Sequence, residues 1–108
     1  MARGPGKSPT ALAVERLAKL ANAGTSPARI HRDTCAIVGA WRAQQEPDIA
    51  RRWTGDLHAD ISTGLASAEE AQDDVDASDA GAVKQARAIV DALRAARDSL
   101  EEELARPH

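Results

Sequence analysis

His31 and Cys35 are the residues closest to chemistry in this chain, set four positions apart in a helix-forming stretch. A thiol and an imidazole one helical turn apart share a face and make half of a zinc site. The other ligands would have to come from His58, Asp56 or Asp60, and no motif fixes their spacing to the pair, so no metal site is expected. The same pair could act as nucleophile and base, but that needs a third orienting group and an oxyanion donor, and neither is legible. The stretch Arg3-Gly4-Pro5-Gly6-Lys7 follows no strand and lacks the spacing of a phosphate-binding loop. Carboxylates are plentiful but fall on acidic helix faces. No catalytic residue, no cofactor and no enzymatic activity are expected. Cys35 is the sole cysteine of the 108 residues, which excludes an internal disulfide.

Charge is more informative. The net charge of −3 hides a bipolar chain. Residues 1–53 carry nine Lys/Arg against four acids, and residues 54–108 carry five against thirteen. A basic half suits a polyanion such as nucleic acid, and an acidic half suits a basic protein partner.

The elements that position these groups are helical. Alternating β-branched runs are absent, and Ala, Leu, Arg and Glu dominate. Residues 1–7 read as a flexible basic tail. Ser8-Pro9 and Ser26-Pro27 are helix starts, a capping hydroxyl followed by a proline whose missing N–H costs nothing in the first turn. Gly24 stops the first helix, and Pro47 opens the third. The third helix is expected to end near Gln72, because Asp73, Asp74 and Asp76 oppose the dipole at a C-terminus. Ser78-Asp79-Ala80-Gly81 reads as the turn and cap before a last helix from about Ala82 to Ala105. Gly55 and Gly64 mark either a break or a close helix approach. The expectation is one all-α domain of four helices: a helix-turn-helix-like pair over 8–45, then a long αα-hairpin over 47–105.

Residues 16–35 meet the demands of a helix-turn-helix: a helix, a turn with glycine, a small polar cap, and a second helix with buried Ile30 one turn in. Lys19 and Asp33 depart from it, falling at positions that are usually apolar, and Leu20 departs at the close crossing. The candidate DNA contacts are Ser26, Arg29, His31 and Arg32 at the start of the second helix, with Arg3 and Lys7 from the tail.

The opening Gly4-Pro5-Gly6-Lys7-Ser8-Pro9-Thr10-Ala11-Leu12 resembles that of phage terminase small subunits, and Pro27-Ala28-Arg29-Ile30-His31-Arg32-Asp33 is similar to a basic segment further along some of them. The resemblance covers roughly residues 4–33. The proline-rich stretch those proteins often carry next is missing here, and the gap between the two segments is longer. It implies a non-catalytic, oligomeric DNA-recognition subunit of a packaging motor, working in the cytoplasm of a host cell. A second resemblance rests on Trp53-Thr54-Gly55, which is similar to the centre of the WXG family of secreted helical hairpins. That family's C-terminal tyrosine signal is absent, and Gly24, Pro27 and Pro47 interrupt what would be its first helix. It implies a structural or adaptor protein without DNA binding.

The apolar inventory is thin. Of the 43% hydrophobic residues, 24 are Ala, only 20 are Leu, Ile, Val or Trp, and Phe and Tyr are absent. A core this small predicts a homo-oligomer. The stripe Ile49, Trp53, Leu57, Ile61, together with Leu93 and Leu100, is the expected assembly surface. No run approaches the ~18 apolar residues of a membrane span, and no Sec leader is expected.

Overall fold

A computed structural model of the chain describes residues 7–106; these form four α-helices and no strand. They are α1 (Pro9–Asn22), α2 (Pro27–Gln44), α3 (Pro47–Asp74) and α4 (Ala80–Ala105). The all-α class expected from the sequence is the observed one.

The boundaries follow local chemistry. Ser8 Oγ accepts the Ala11 N–H at 3.1 Å and Ser26 Oγ accepts the Arg29 N–H at 3.3 Å, each satisfying a donor that the helix leaves open. Pro9, Pro27 and Pro47 all sit in first turns. Gly24 closes α1 with φ +78°; its N–H reaches Ala21 O and the Thr25 N–H reaches Leu20 O, both at 3.1 Å, so a left-handed cap takes up two orphan carbonyls. Asp79 Oδ1 accepts the Ala82 N–H at 3.0 Å and starts α4 at Ala80, which puts Gly81 in the helix rather than in the turn.

One expectation for α3 holds and one needs correction. The helix ends at Asp74, two residues past Gln72, whose carbonyl accepts the Val75 N–H at 3.3 Å. It runs unbroken through Gly55 and Gly64, and a Cβ added at either would meet no heavy atom within 4 Å. Neither glycine serves a break or a close approach.

The third and fourth helices form the long hairpin, each about 40 Å in length, in a flattened body of 50 × 41 × 19 Å. The fourth helix is the hub: it packs most extensively on α3, next on α2, and also on α1. The core combines Leu17, Ile30, Val38, Leu57, Ile61, Leu65, Val90, Leu93 and Leu100 with alanines 13, 21, 50, 92 and 96. Trp41 and Trp53 meet edge to face, centroids 5.6 Å apart, at the margin of this core. Buried hydroxyls complete it without unmet polarity. Thr34, Thr54 and Ser99 donate to the carbonyls of Ile30, Ala50 and Ala95 in the preceding turn, at 2.7, 2.8 and 2.8 Å.

Candidate functional site

The candidate DNA contacts separate once the helices are placed. Arg3 lies outside the described residues. Lys7 is ion-paired with Glu15 at 2.5 Å. Ser26 spends its hydroxyl on capping α2. Arg29 and Arg32 are exposed on the first turns of α2; Arg29 Nε stands 3.9 Å from Asp33 Oδ2, too far for a hydrogen bond. His31 turns toward α4, its Nδ1 2.5 Å from Ser99 Oγ. Of the four candidates at the start of α2, Ser26 to Arg32, only Arg29, which stands beside Asp33, and Arg32 keep side chains directed to solvent.

The first two helices touch each other less extensively than either touches α4. The pair is therefore a corner mounted on a third helix. Arg16 and Lys19 are exposed on α1, one turn apart. Among the described residues no carboxylate pairs with Arg16, Lys19 or Arg32, while the two acids of residues 7–44 are both occupied: Glu15 by Lys7, and Asp33, half-buried, beside Arg29. The outward charge of this half is positive.

The proposed assembly residues lie elsewhere. Leu57, Ile61, Leu93 and Leu100 are buried inside the single chain, and Ile49 and Trp53 are half-buried at its edge. The four-residue periodicity matches the burial of Leu57 and Ile61 but runs one position early at Ile49 and Trp53, where Ala50 and Thr54 are buried instead, and it could not say which chain covers the stripe. In this fold α3 and α4 cover each other.

The acidic end of α4 is likewise engaged within the chain. Glu103 is 6% exposed and pairs with Arg42 of α2, Oε2 to Nη1 2.8 Å, with Arg106 Nη1 at 3.8 Å on its other oxygen. Oε2 accepts no aligned hydrogen bond, so the contact with Arg42 is one of charge. Glu101 reaches His58 Nε2 at 3.3 Å. Arg94 pairs with Glu69 of α3 at 3.2 Å and Arg97 with its neighbour Asp98 at 3.0 Å. Around Arg42 and Glu103 opens a cavity of about 310 Å³, lined also by Pro47, Ala50, Arg51, Thr54 and Leu104.

Cys35 stands beside His31, Sγ to Nε2 3.8 Å. Burial, then the negative charge of Glu103, pushes its thiol above the ordinary value. A thiol held protonated is a poor nucleophile. What the sequence missed is Ser99, 68 positions from His31, which orients the imidazole. No local signal links the two residues. His58, bound to Glu101, does not join the pair; among the described residues no three His, Cys, Asp or Glu side chains cluster as a metal site. None of the described helices is long and apolar enough to cross a membrane.

Comparison with known proteins finds no family model, no curated protein and no solved structure that matches this chain.

Proposed function

We propose that the chain is a non-catalytic helical subunit that binds DNA through the outer flank of α1 and α2, in the manner the terminase resemblance implies. One observation carries this reading: Arg16, Lys19 and Arg32 are exposed without an ion pair among the described residues, while both nearby acids are occupied. Unpaired surface cations gain most from phosphate, because binding releases the condensed counterions of the duplex. Arg29 and Arg32 on the first turns of α2 are the contacts nearest base edges; Arg16 and Lys19 supply phosphate contacts. Ser26 and His31 act on the helix start and on packing rather than on DNA.

The test is a duplex titration by fluorescence anisotropy between about 50 and 200 mM salt, where phosphate contacts make affinity fall steeply. The double substitution Arg29→Ala, Arg32→Ala should weaken binding, and the variant Arg16→Ala, Lys19→Ala should in addition flatten the log–log salt slope by about 2, both with thermal stability unchanged. Absence of binding at the lowest salt, or an unaltered slope in the second variant, overturns the reading.

A second reading is a helical assembly protein without DNA binding. It is favoured by Leu12, 54% exposed beside a largely apolar groove of about 300 Å³ formed by Pro9, Ala13, Arg16, Ile37, Ala40 and Trp41. An exposed leucine beside such a groove suits a second copy of the chain. Light scattering that shows mass rising with concentration, and falling again in Leu12→Glu, separates this reading from the first.

A further inference from the structure

The pair His31–Cys35 is absorbed by neither reading, and the structure completes it in an informative way. Ser99 Oγ lies 2.8 Å from the Ala95 carbonyl and 2.5 Å from His31 Nδ1. A hydroxyl has one proton, and a carbonyl can only accept. Ser99 therefore donates to Ala95, and Nδ1–H donates to Ser99. The hydrogen-bond network thus assigns the neutral ring its lone pair on Nε2, the atom 3.8 Å from Cys35 Sγ. Ser99 is 1% exposed, so the partner that holds the ring is itself fixed in the core.

That separation is long for a thiol–imidazole hydrogen bond. It is close to a chelate bite: Zn–S of about 2.3 Å and Zn–N of about 2.0–2.1 Å at the tetrahedral angle put S and N roughly 3.6 Å apart. The outer side of the pair is open, since His31 is exposed and Cys35 half-buried. A histidine ligand whose other nitrogen donates to a buried acceptor is the usual arrangement at metal centres, because it fixes both tautomer and ring orientation.

We propose that His31 and Cys35 chelate a zinc-class divalent cation across one turn of α2, with Ser99 as the positioning residue. The chain supplies two ligands, and water completes the coordination. Binding displaces the thiol proton to solvent, so the thiolate and the neutral imidazole are the ligating forms.

The experiment is a Co²⁺ titration of the full chain in chelator-free buffer, read by the thiolate-to-cobalt charge-transfer band, followed by displacement with Zn²⁺. One equivalent per chain and a band that Zn²⁺ bleaches are expected. Cys35→Ser should erase the band. His31→Ala should weaken binding by at least tenfold, and Ser99→Ala by about tenfold through loss of the orienting bond. Circular dichroism checks that each variant stays helical, and Cys35→Ser, which exchanges sulfur for oxygen at a half-buried position, serves as the variant least exposed to misfolding. No charge-transfer band in the unaltered chain, or Zn²⁺ binding by calorimetry that Cys35→Ser leaves unchanged, overturns the site. Unchanged affinity in Ser99→Ala overturns the positioning role.

Discussion

Arg42 bridges the side chain and the backbone of Glu103: Nη1 stands 2.8 Å from Oε2, and Nη2–H donates to the Glu103 carbonyl at 3.2 Å. One guanidinium thus neutralises a buried carboxylate and takes up a carbonyl at the C-terminal end of α4, where the helix dipole favours a cation. The contact ties the last turn of α2 to the last turn of α4.

Arg42→Ala should therefore cost more than a surface pair would. It strands the Glu103 carboxylate, 6% exposed, without its main counter-charge. Arg42 itself is 40% exposed, so solvent moderates the loss, and about 1–3 kcal/mol is expected. Glu103→Gln removes the charge together with its need for a partner and should cost less than Arg42→Ala. Urea unfolding of the two variants side by side checks the order.

Leu57→Ala and Leu100→Ala test whether the α3–α4 stripe serves the fold or an assembly. Both leucines are fully buried within one chain. Each truncation should destabilise by about 2–5 kcal/mol through lost transfer energy and the cavity left behind. The midpoint of unfolding should shift equally at low and high protein concentration. A loss that shrinks as concentration rises would return these residues to an interface between copies.

How much of this was legible in the sequence depends on the range of the interaction. Caps and stops are local, so Ser8-Pro9, Ser26-Pro27, Gly24 and Asp79 announced themselves, and the helices begin and end at or near them. Faces are less local: α1 buries Ala13, Leu17 and Ala21 and leaves the larger Val14 and Leu20 at the margin. An alanine-rich helix has a weak apolar contrast, so its orientation is set by what packs on it. On α4, likewise, Ala92 and Ala96 are fully buried beside Val90 and Leu93. The contacts that decide chemistry were not legible. His31 with Ser99, and Arg42 with Glu103, join residues more than sixty positions apart, and nothing near either partner encodes the other.

The glycines divide by backbone geometry. Gly24→Ala forces a Cβ into the left-handed region at φ +78° and should destabilise by about 1–2 kcal/mol. Gly55→Ala and Gly64→Ala fall inside α3 with open space around the new methyl group, and each should stabilise by about 0.5–1 kcal/mol by restricting the unfolded chain. Opposite signs in thermal melts of Gly24→Ala and Gly55→Ala are the expected result.

Cys35 should alkylate slowly. Burial and the Glu103 carboxylate raise its thiol above the ordinary value, so the reactive thiolate is scarcer at neutral pH than in a free cysteine. The rate with iodoacetamide should keep rising at pH values where a model thiol has reached its plateau. Glu103→Gln should move that profile to lower pH, since one of the two main causes is then gone.

The turn between α3 and α4 has its own pH dependence. Asp76 Oδ1 accepts the backbone N–H of Ser78 at 2.9 Å and its hydroxyl at 2.8 Å, and these bonds hold the Asp76 carboxyl below its ordinary value. A carboxyl depressed in the folded chain adds stability above its unfolded pKa and loses it as pH falls through the folded one. The turn should therefore stay locked through the mildly acidic range and loosen only below the usual aspartate range. Asp76 is fully exposed, so the effect is local rather than global. The Ser78 amide resonance should titrate at that low pH and lose its inflection in Asp76→Asn. Unfolding midpoints at neutral pH should barely differ between the two proteins. An inflection at the ordinary aspartate value would mean that the Ser78 bonds do not persist in solution.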